Sequence, residues 1–337
     1  MQIELTKAFM PIFKIKHITN YKYELPVRDS ANQIILFPIK DDFQKVIQHD
    51  LNISGSPEIE IFIDYYGNEV GTFTQNEPHY QLKIFSKVCV ETFPKPLPQD
   101  DMFSSEQWTG LDMIKYEVPY IDYLRQETFD GIVQLKETAL SIKSDEDTPY
   151  QTAIKYCAHV FQNYEYIKGI TAVDTTIEEI MKLKAGVCQD FAHVLTAMLR
   201  LTGIPARYVS GYICPNRDGM RGEGATHAWA EAYLPEYGWL GLDPTNNCIA
   251  NENHVRLAVG RNFTDCSPVK GVYKGGFEHI MEVNVSVGYN DEDFNENENY
   301  FQPKEINYSK PSATVTAARK QNSYQQYMEA MQQQQQQ

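Results

Sequence analysis

The 337-residue chain has no C-x-x-C pair, so its six cysteines, Cys89, Cys157, Cys188, Cys214, Cys248 and Cys266, suggest neither a zinc ribbon nor a dithiol redox site. Their scatter over a chain of this size also argues against a disulfide scaffold. There is no G-x-G-x-x-G after a strand pattern and no G-x-x-x-x-G-K-[ST] loop, the usual marks of dinucleotide and nucleoside triphosphate sites. GVYKGG, Gly271 to Gly276, is too little to cradle a phosphate and reads as a turn. No stretch reaches the roughly 18 apolar residues of a membrane-spanning helix. The opening MQIELTKAFMPIFKIKHIT lacks the basic start, apolar centre and small-residue cleavage site of an export signal. A cytoplasmic, reducing location is the resulting expectation. Basic residues are scarce as well. Lys and Arg number 30 against 45 Asp and Glu, a formal charge of −15, which disfavours nucleic acid and anionic membranes as partners.

What is present suffices for sizeable cores, with 42% hydrophobic and 12% aromatic residues. Residues 1–100 read as an antiparallel β domain. FKIKHITNYKYE, NQIILFPI, IEIFIDYYGNEVGTFT and HYQLKIFSKVCVETF are rich in β-branched and aromatic residues, with a turn near Tyr66-Gly67-Asn68. FPKPLPQD, Phe93 to Asp100, ends regular pairing with three prolines. A mixed connecting region spans 101–147 and a second, larger unit 148–290. Thr148, Pro149 and Gln151 form a capping start, and Ile154, Cys157, Ala158 and Phe161 recur on one helical face, which makes Cys157 a core thiol. Either Thr175 or Thr176 can cap a short helix after it. Phe191, Val194, Leu195, Met198 and Leu199 then give a helix with one buried face, closed by Gly203 and Pro205. ARYVSGYI, the two halves of THAWAEAYLPEYGWLGLDPTN, and VNVSVGY read as strands, so helices followed by antiparallel strands give an α+β fold. Residues 291–337 are acidic, Asn-rich and Gln-rich, a composition expected to be disordered.

Cys188 stands at the start of that third helix, after Gly186-Val187. Helix N-terminal N–H groups and the helix dipole stabilise a thiolate, so position alone leaves a reactive thiol and a packed thiol equally open. Downstream, His227 opens one strand pattern and Asp243 closes the next. A cysteine, a base and a carboxylate that orients the base are the parts of a thiol-dependent acyl-transfer site, with no fixed sequence interval between them. The competing metal reading gathers Cys188, His193 and His227 with Cys214 or His254, without compact ligand spacing; neither a metal nor a cofactor is expected.

GVCQDFAH (Gly186 to His193), GIPARYVSGY (Gly203 to Tyr212), THAWAEAYLPEYGWLGLDPTNN (Thr226 to Asn247) and VGRNFTDCSPVKGVYKGG (Val259 to Gly276) occur in an order that resembles the transglutaminase-like superfamily, which has a papain-like cysteine-enzyme fold. HITNYKYELPVRDSANQIILFP and DYYGNEV resemble the N-terminal β region of bacterial transglutaminase-like proteins, although FPIK departs from the arginine-containing strand ending often seen there. The resemblance implies a papain-like core preceded by an antiparallel β domain, with Cys188, His227 and Asp243 as the triad. Asp190 and His193 are carried over as supports of the Cys188 helix.

The remaining site candidates rest on position. Gln189, Asn163, Tyr164 and Tyr166 are candidate second donors to an oxyanion, after the Cys188 N–H. Arg207 is expected to pair with a buried acid or to touch substrate, and Trp229, Tyr208 and Tyr212 to pack in the core or to wall a substrate cleft. The expected activity is a thiol-dependent amide or peptide hydrolase acting through an acyl-enzyme on a protein or peptide substrate. The alternatives are a protein-glutamine transglutaminase, which needs a primary-amine acceptor, a deamidase, or a noncatalytic protein-binding module.

Overall fold

A computed structural model describes residues 10–214, 225–275 and 279–289. The expected disordered tail lies outside the described residues. The chain opens with five strands: β1 (Ile12–Ile34), β2 (Gln44–Ile53), β3 (Glu60–Ile63), β4 (Glu69–Gln75) and β5 (His79–Thr92). Helices α1 (Ser104–Ile114), α2 (Tyr120–Leu124), α3 (Ile132–Ile142) and α4 (Pro149–Asn163) follow. Next come β6 (Glu165–Tyr166), α5 (Ile177–Leu183), β7 (Ala185–Gly186) and α6 (Cys188–Leu201). Strands β8 (Ala206–Ile213), β9 (Ala225–Leu234), β10 (Gly238–Asp243), β11 (Cys248–Ile249) and β12 (His254–Gly260) precede α7 (Phe263–Cys266), β13 (Val269–Lys274) and β14 (His279–Tyr289).

The first sheet is organised by β1. Its early half alternates, with Phe13, Ile15, His17 and Thr19 buried, and pairs antiparallel with β5 and β14. Its late half pairs with β4 and β13. The register shifts between Lys22 and Val27, an interval that contains Pro26, whose nitrogen has no hydrogen to give a ladder. The structure departs here from the division at residues 148–290. Strands β13 and β14 return to the N-terminal sheet, because β1 offers each half of itself to two partners.

The helix starts follow their local chemistry. Thr148 accepts the Gln151 N–H ahead of α4, and Thr176, not Thr175, accepts the Glu179 N–H ahead of α5. Helix α6 buries Phe191, Val194, Leu195, Met198 and Leu199 completely, and these residues pack with Tyr156, Cys157 and Val160 of α4. The face of β9 and β10 carrying Ala230, Ala232, Leu240 and Leu242 closes the same core. The second sheet runs β11-β10-β9-β8-β12.

The opposite face of this sheet holds Trp229 against Val209 and Val259. It fits because Gly211 crosses close to it. A Cβ at 211 would sit 2.7 Å from Trp229 Cη2 and would overlap the Val255 carbonyl. Gly211→Ala is therefore expected to cost about 2–4 kcal/mol of stability in urea unfolding, since backbone and a buried indole must both yield; a cost below about 0.5 kcal/mol would contradict this packing.

The two units share a continuous interface. His17 Nδ1 lies 2.9 Å from the Tyr212 hydroxyl. Strand β12 is an edge of its sheet, and two side-chain amides of the N-terminal unit cover that edge. Gln44 bonds the N–H and C=O of Arg256 at 2.7 and 2.8 Å, and Asn68 bonds both groups of Val259 at 2.8 Å. Among the described residues, no helix is long and apolar enough to cross a membrane.

Candidate active site

Cys188 is the first residue of α6, so its N–H and those of Gln189 and Asp190 have no carbonyl one turn earlier to bond. Asp190 secures this helix start. Its Oδ2 accepts the Val187 N–H at 2.7 Å and the Thr171 hydroxyl at 2.6 Å. Burial pushes the Asp190 carboxyl upward, and these hydrogen bonds oppose the shift. A side chain at Gly186 would collide with Asp190, which explains the glycine two residues before the cysteine. The half-buried thiol packs against buried neighbours that include Ala192, Tyr208 and Ala228.

His227 enters from β9 and Asp243 from the adjacent strand β10. His227 Nε2 stands 2.8 Å from Asp243 Oδ2, with both side chains enclosed. Burial alone would lower the His227 pKa, but the Asp243 charge and hydrogen bond outweigh it and raise the value to about 10. Cys188 adds to that rise, so thiol and imidazole interact. Nδ1 is buried and makes no hydrogen bond of full geometry among the described residues, which leaves it as the ring nitrogen available to the thiol. Burial would raise the Asp243 carboxyl, yet His227 and His254 hold it well below the usual carboxylate range. Asp243 Oδ1 also accepts the backbone N–H groups of Thr245 and Asn246 at 2.9 and 3.3 Å, and Oδ2 accepts Asn246 Nδ2 at 2.7 Å.

The other sequence candidates are placed elsewhere. His193 accepts the Phe263 N–H on Nε2 at 3.1 Å and packs tilted against Tyr208 with centroids 4.9 Å apart. Burial lowers its pKa to about 4, with Arg200 adding to the shift. Arg207 bonds Glu231 at 2.6 Å and lies over Trp239, four residues along the ladder from the Gly211–His227 pair, about 13 Å away. Gln189 turns outward to the Val173 carbonyl, and Asn163 bonds the His159 carbonyl. Tyr164 is buried in the helical core and Tyr166 packs against it. Tyr208, Tyr212 and Trp229 are at most 2% exposed, too enclosed to wall an open cleft. The zinc set does not assemble as a whole: His193 is engaged with α7 and Cys214 lies in the core shared with the N-terminal sheet, while His227 and His254 do come together. His254 does reach His227, through Asp243, and each histidine gives that carboxylate an N–H. In the sequence His254 stands out only as a metal candidate. Its position as the first residue of a buried strand was the available signal for a role in the interior.

A cysteine heading a helix, with a histidine and a carboxylate on neighbouring antiparallel strands, is the architecture of papain-like proteins. The profile of the transglutaminase-like superfamily matches residues 136–244, and that of the bacterial transglutaminase-like N-terminal region matches residues 13–91. The chain belongs to the transglutaminase-like superfamily, whose members are usually cysteine-based enzymes. An uncharacterized protein of Mycobacterium leprae is 32% identical over 278 residues, covering 81% of this chain and 97% of that one. A protein-glutamine gamma-glutamyltransferase of Pseudomonas aeruginosa is 35% identical over 162 residues, covering 46% of this chain and 22% of that protein. The crystal structure of a candidate cysteine protease from Cytophaga hutchinsonii shares the fold, with a TM-score of 0.66 at 22% identity, over 85% of this chain and 93% of that one.

Proposed function

We propose that this protein is a thiol-dependent amide or peptide hydrolase in which Cys188, His227 and Asp243 form a catalytic triad. The observation that carries the reading is the His227 ring, bonded to Asp243 through Nε2 and open at Nδ1 toward a cysteine at a helix start. In this reading the Cys188 thiolate attacks a carbonyl carbon of a protein or peptide substrate. The first-turn N–H groups of α6 receive the oxyanion. The protonated His227 gives its Nδ1 proton to the leaving nitrogen as the C–N bond breaks, leaving a thioester on Cys188. His227 then takes a proton from water, the resulting hydroxide attacks the thioester, and the carboxylic acid departs from the regenerated sulfur. The local match to a glutamyltransferase supports a second reading, in which the acyl donor is a glutamine side chain and a primary amine replaces water. A reducing compartment suits either course, since the attacking group must stay a free thiol.

The test is alkylation of the folded protein with a thiol probe, with the labelled cysteine located by peptide mass. Cys188 is expected to label at least about tenfold faster than a free cysteine, and His227→Ala to remove that advantage. Equal rates in wild type and folded His227→Ala would refute activation by the imidazole.

A further inference from the structure

Asp243 Oδ2 faces three donors: His227 Nε2 at 2.8 Å, Asn246 Nδ2 at 2.7 Å and His254 Nε2 at 3.2 Å. An ionised carboxylate oxygen only accepts, so both imidazoles present an N–H to it. With two lone pairs on the oxygen, these donors compete. His254 is no accidental neighbour. It is buried, its Nδ1 meets the Asn251 backbone N–H and side-chain oxygen at 3.2 and 3.1 Å, and its ring stands edge-on to Trp229 at 5.2 Å. Its strand is pinned along the free edge by Gln44 and Asn68 from the N-terminal sheet.

We propose that His254 is a second positioning residue, which shares the Asp243 carboxylate with His227 and keeps the His227 proton transferable. The inference rests on the triad reading given above. A carboxylate committed to one imidazole grips the imidazolium proton firmly, and a firmly held proton is poorly delivered to a leaving nitrogen. A second donor on the same oxygen spreads the charge and weakens that grip. An N–H donated to Asp243 opposes protonation of His227 through the shared carboxylate. The titratable groups acting on the pair are Cys188 from α6, Asp243 from β10 and His254 from β12. The Cys157 thiol of α4 and the Cys248 thiol of β11 also feel Asp243, and burial pushes both upward and keeps them neutral.

Alkylation of Cys188 by iodoacetate tests this on the full chain. The anionic probe is drawn by the imidazolium, so its rate falls on the alkaline side as His227 loses its proton. His254→Phe keeps an aromatic ring against Trp229 but has no N–H. It is expected to move the alkaline fall upward by about half to one pH unit, and His254→Gln, which restores a donor, to return it to the wild-type position. His254→Asn, whose amide is too short to reach Asp243, is expected to move it as His254→Phe does, which serves if the phenylalanine variant does not fold. An unmoved alkaline fall in a folded variant lacking the donor, including a uniform drop in rate at every pH, overturns the positioning role alone. A wild type whose Cys188 labels no faster than free cysteine overturns the triad reading and this inference with it.

Discussion

Cys188→Ala is expected to lower turnover of a cleavable peptide by roughly 10⁴–10⁶-fold while leaving the protein folded. The two effects separate because of where the residue sits. The thiol is half-buried at the first position of α6, and Asp190, not Cys188, ties the helix start to Val187 and Thr171. Alanine is the best helix former and leaves those ties in place, so unfolding free energy should change by no more than about 1 kcal/mol. What is lost is the sulfur that carries the thioester in the proposed mechanism. Product analysis on a peptide library, with and without a primary amine, reads turnover and distinguishes hydrolysis, deamidation and crosslinking in the wild type. Quenched wild-type protein should carry acyl mass on the Cys188 peptide, and the variant none. A variant within tenfold of wild type would move the nucleophile elsewhere.

The parts of this site differ in how far local sequence specifies them. The Thr148–Gln151 and Thr176–Glu179 caps and the buried stripe of α6 are set by residues within a turn or two of each other, and they are legible as patterns. His227 and Asp243 are legible as a strand start and a strand end. The short β9–β10 connection brings them together, since antiparallel neighbours in sequence are neighbours in space. The return of β13 and β14 to β1 is not encoded nearby. It joins Phe13 to Tyr289 and Ile34 to Val269, pairings on the edges of β1 that β4 and β5 do not occupy. His254 was obscured for the same reason. Strands β8 and β9 stand between β12 and β10 in the sheet, so strand order alone gives no sign that His254 meets Asp243. Trp229 and Tyr208 look alike in sequence whether they wall a cleft or fill a core; their near-complete enclosure depends on partners such as Gly211, Val209 and His193.

Asp243→Asn should be the most damaging change that adds or removes almost no volume. The amide oxygen can still accept the Thr245 and Asn246 N–H groups, but its NH₂ then faces the N–H groups of His227 and His254. Relief requires His227 to turn its Nε2 lone pair to the amide, which puts the ring proton on Nδ1 beside Cys188. That tautomer cannot act as the base, and turnover is expected to fall by about 10³–10⁴-fold. The buried pair is lost as well, at a stability cost of about 2–4 kcal/mol. Its pH dependence gives a sharper check. The His227 pKa is raised on folding from 6.5 to about 10, so its contribution is full below pH 6.5 and is lost as pH rises through the folded value. The Asp243 pKa is depressed from 3.8, so its contribution is present above that value and is lost as pH falls through the lower folded value. These are two views of one interaction and count once. The stability gap between wild type and Asp243→Asn should therefore be widest between about pH 4 and 6.5 and should narrow toward pH 10. Urea unfolding of both proteins across that range measures the gap, and a gap that stays constant with pH would show that no imidazolium–carboxylate pair joins β9 to β10.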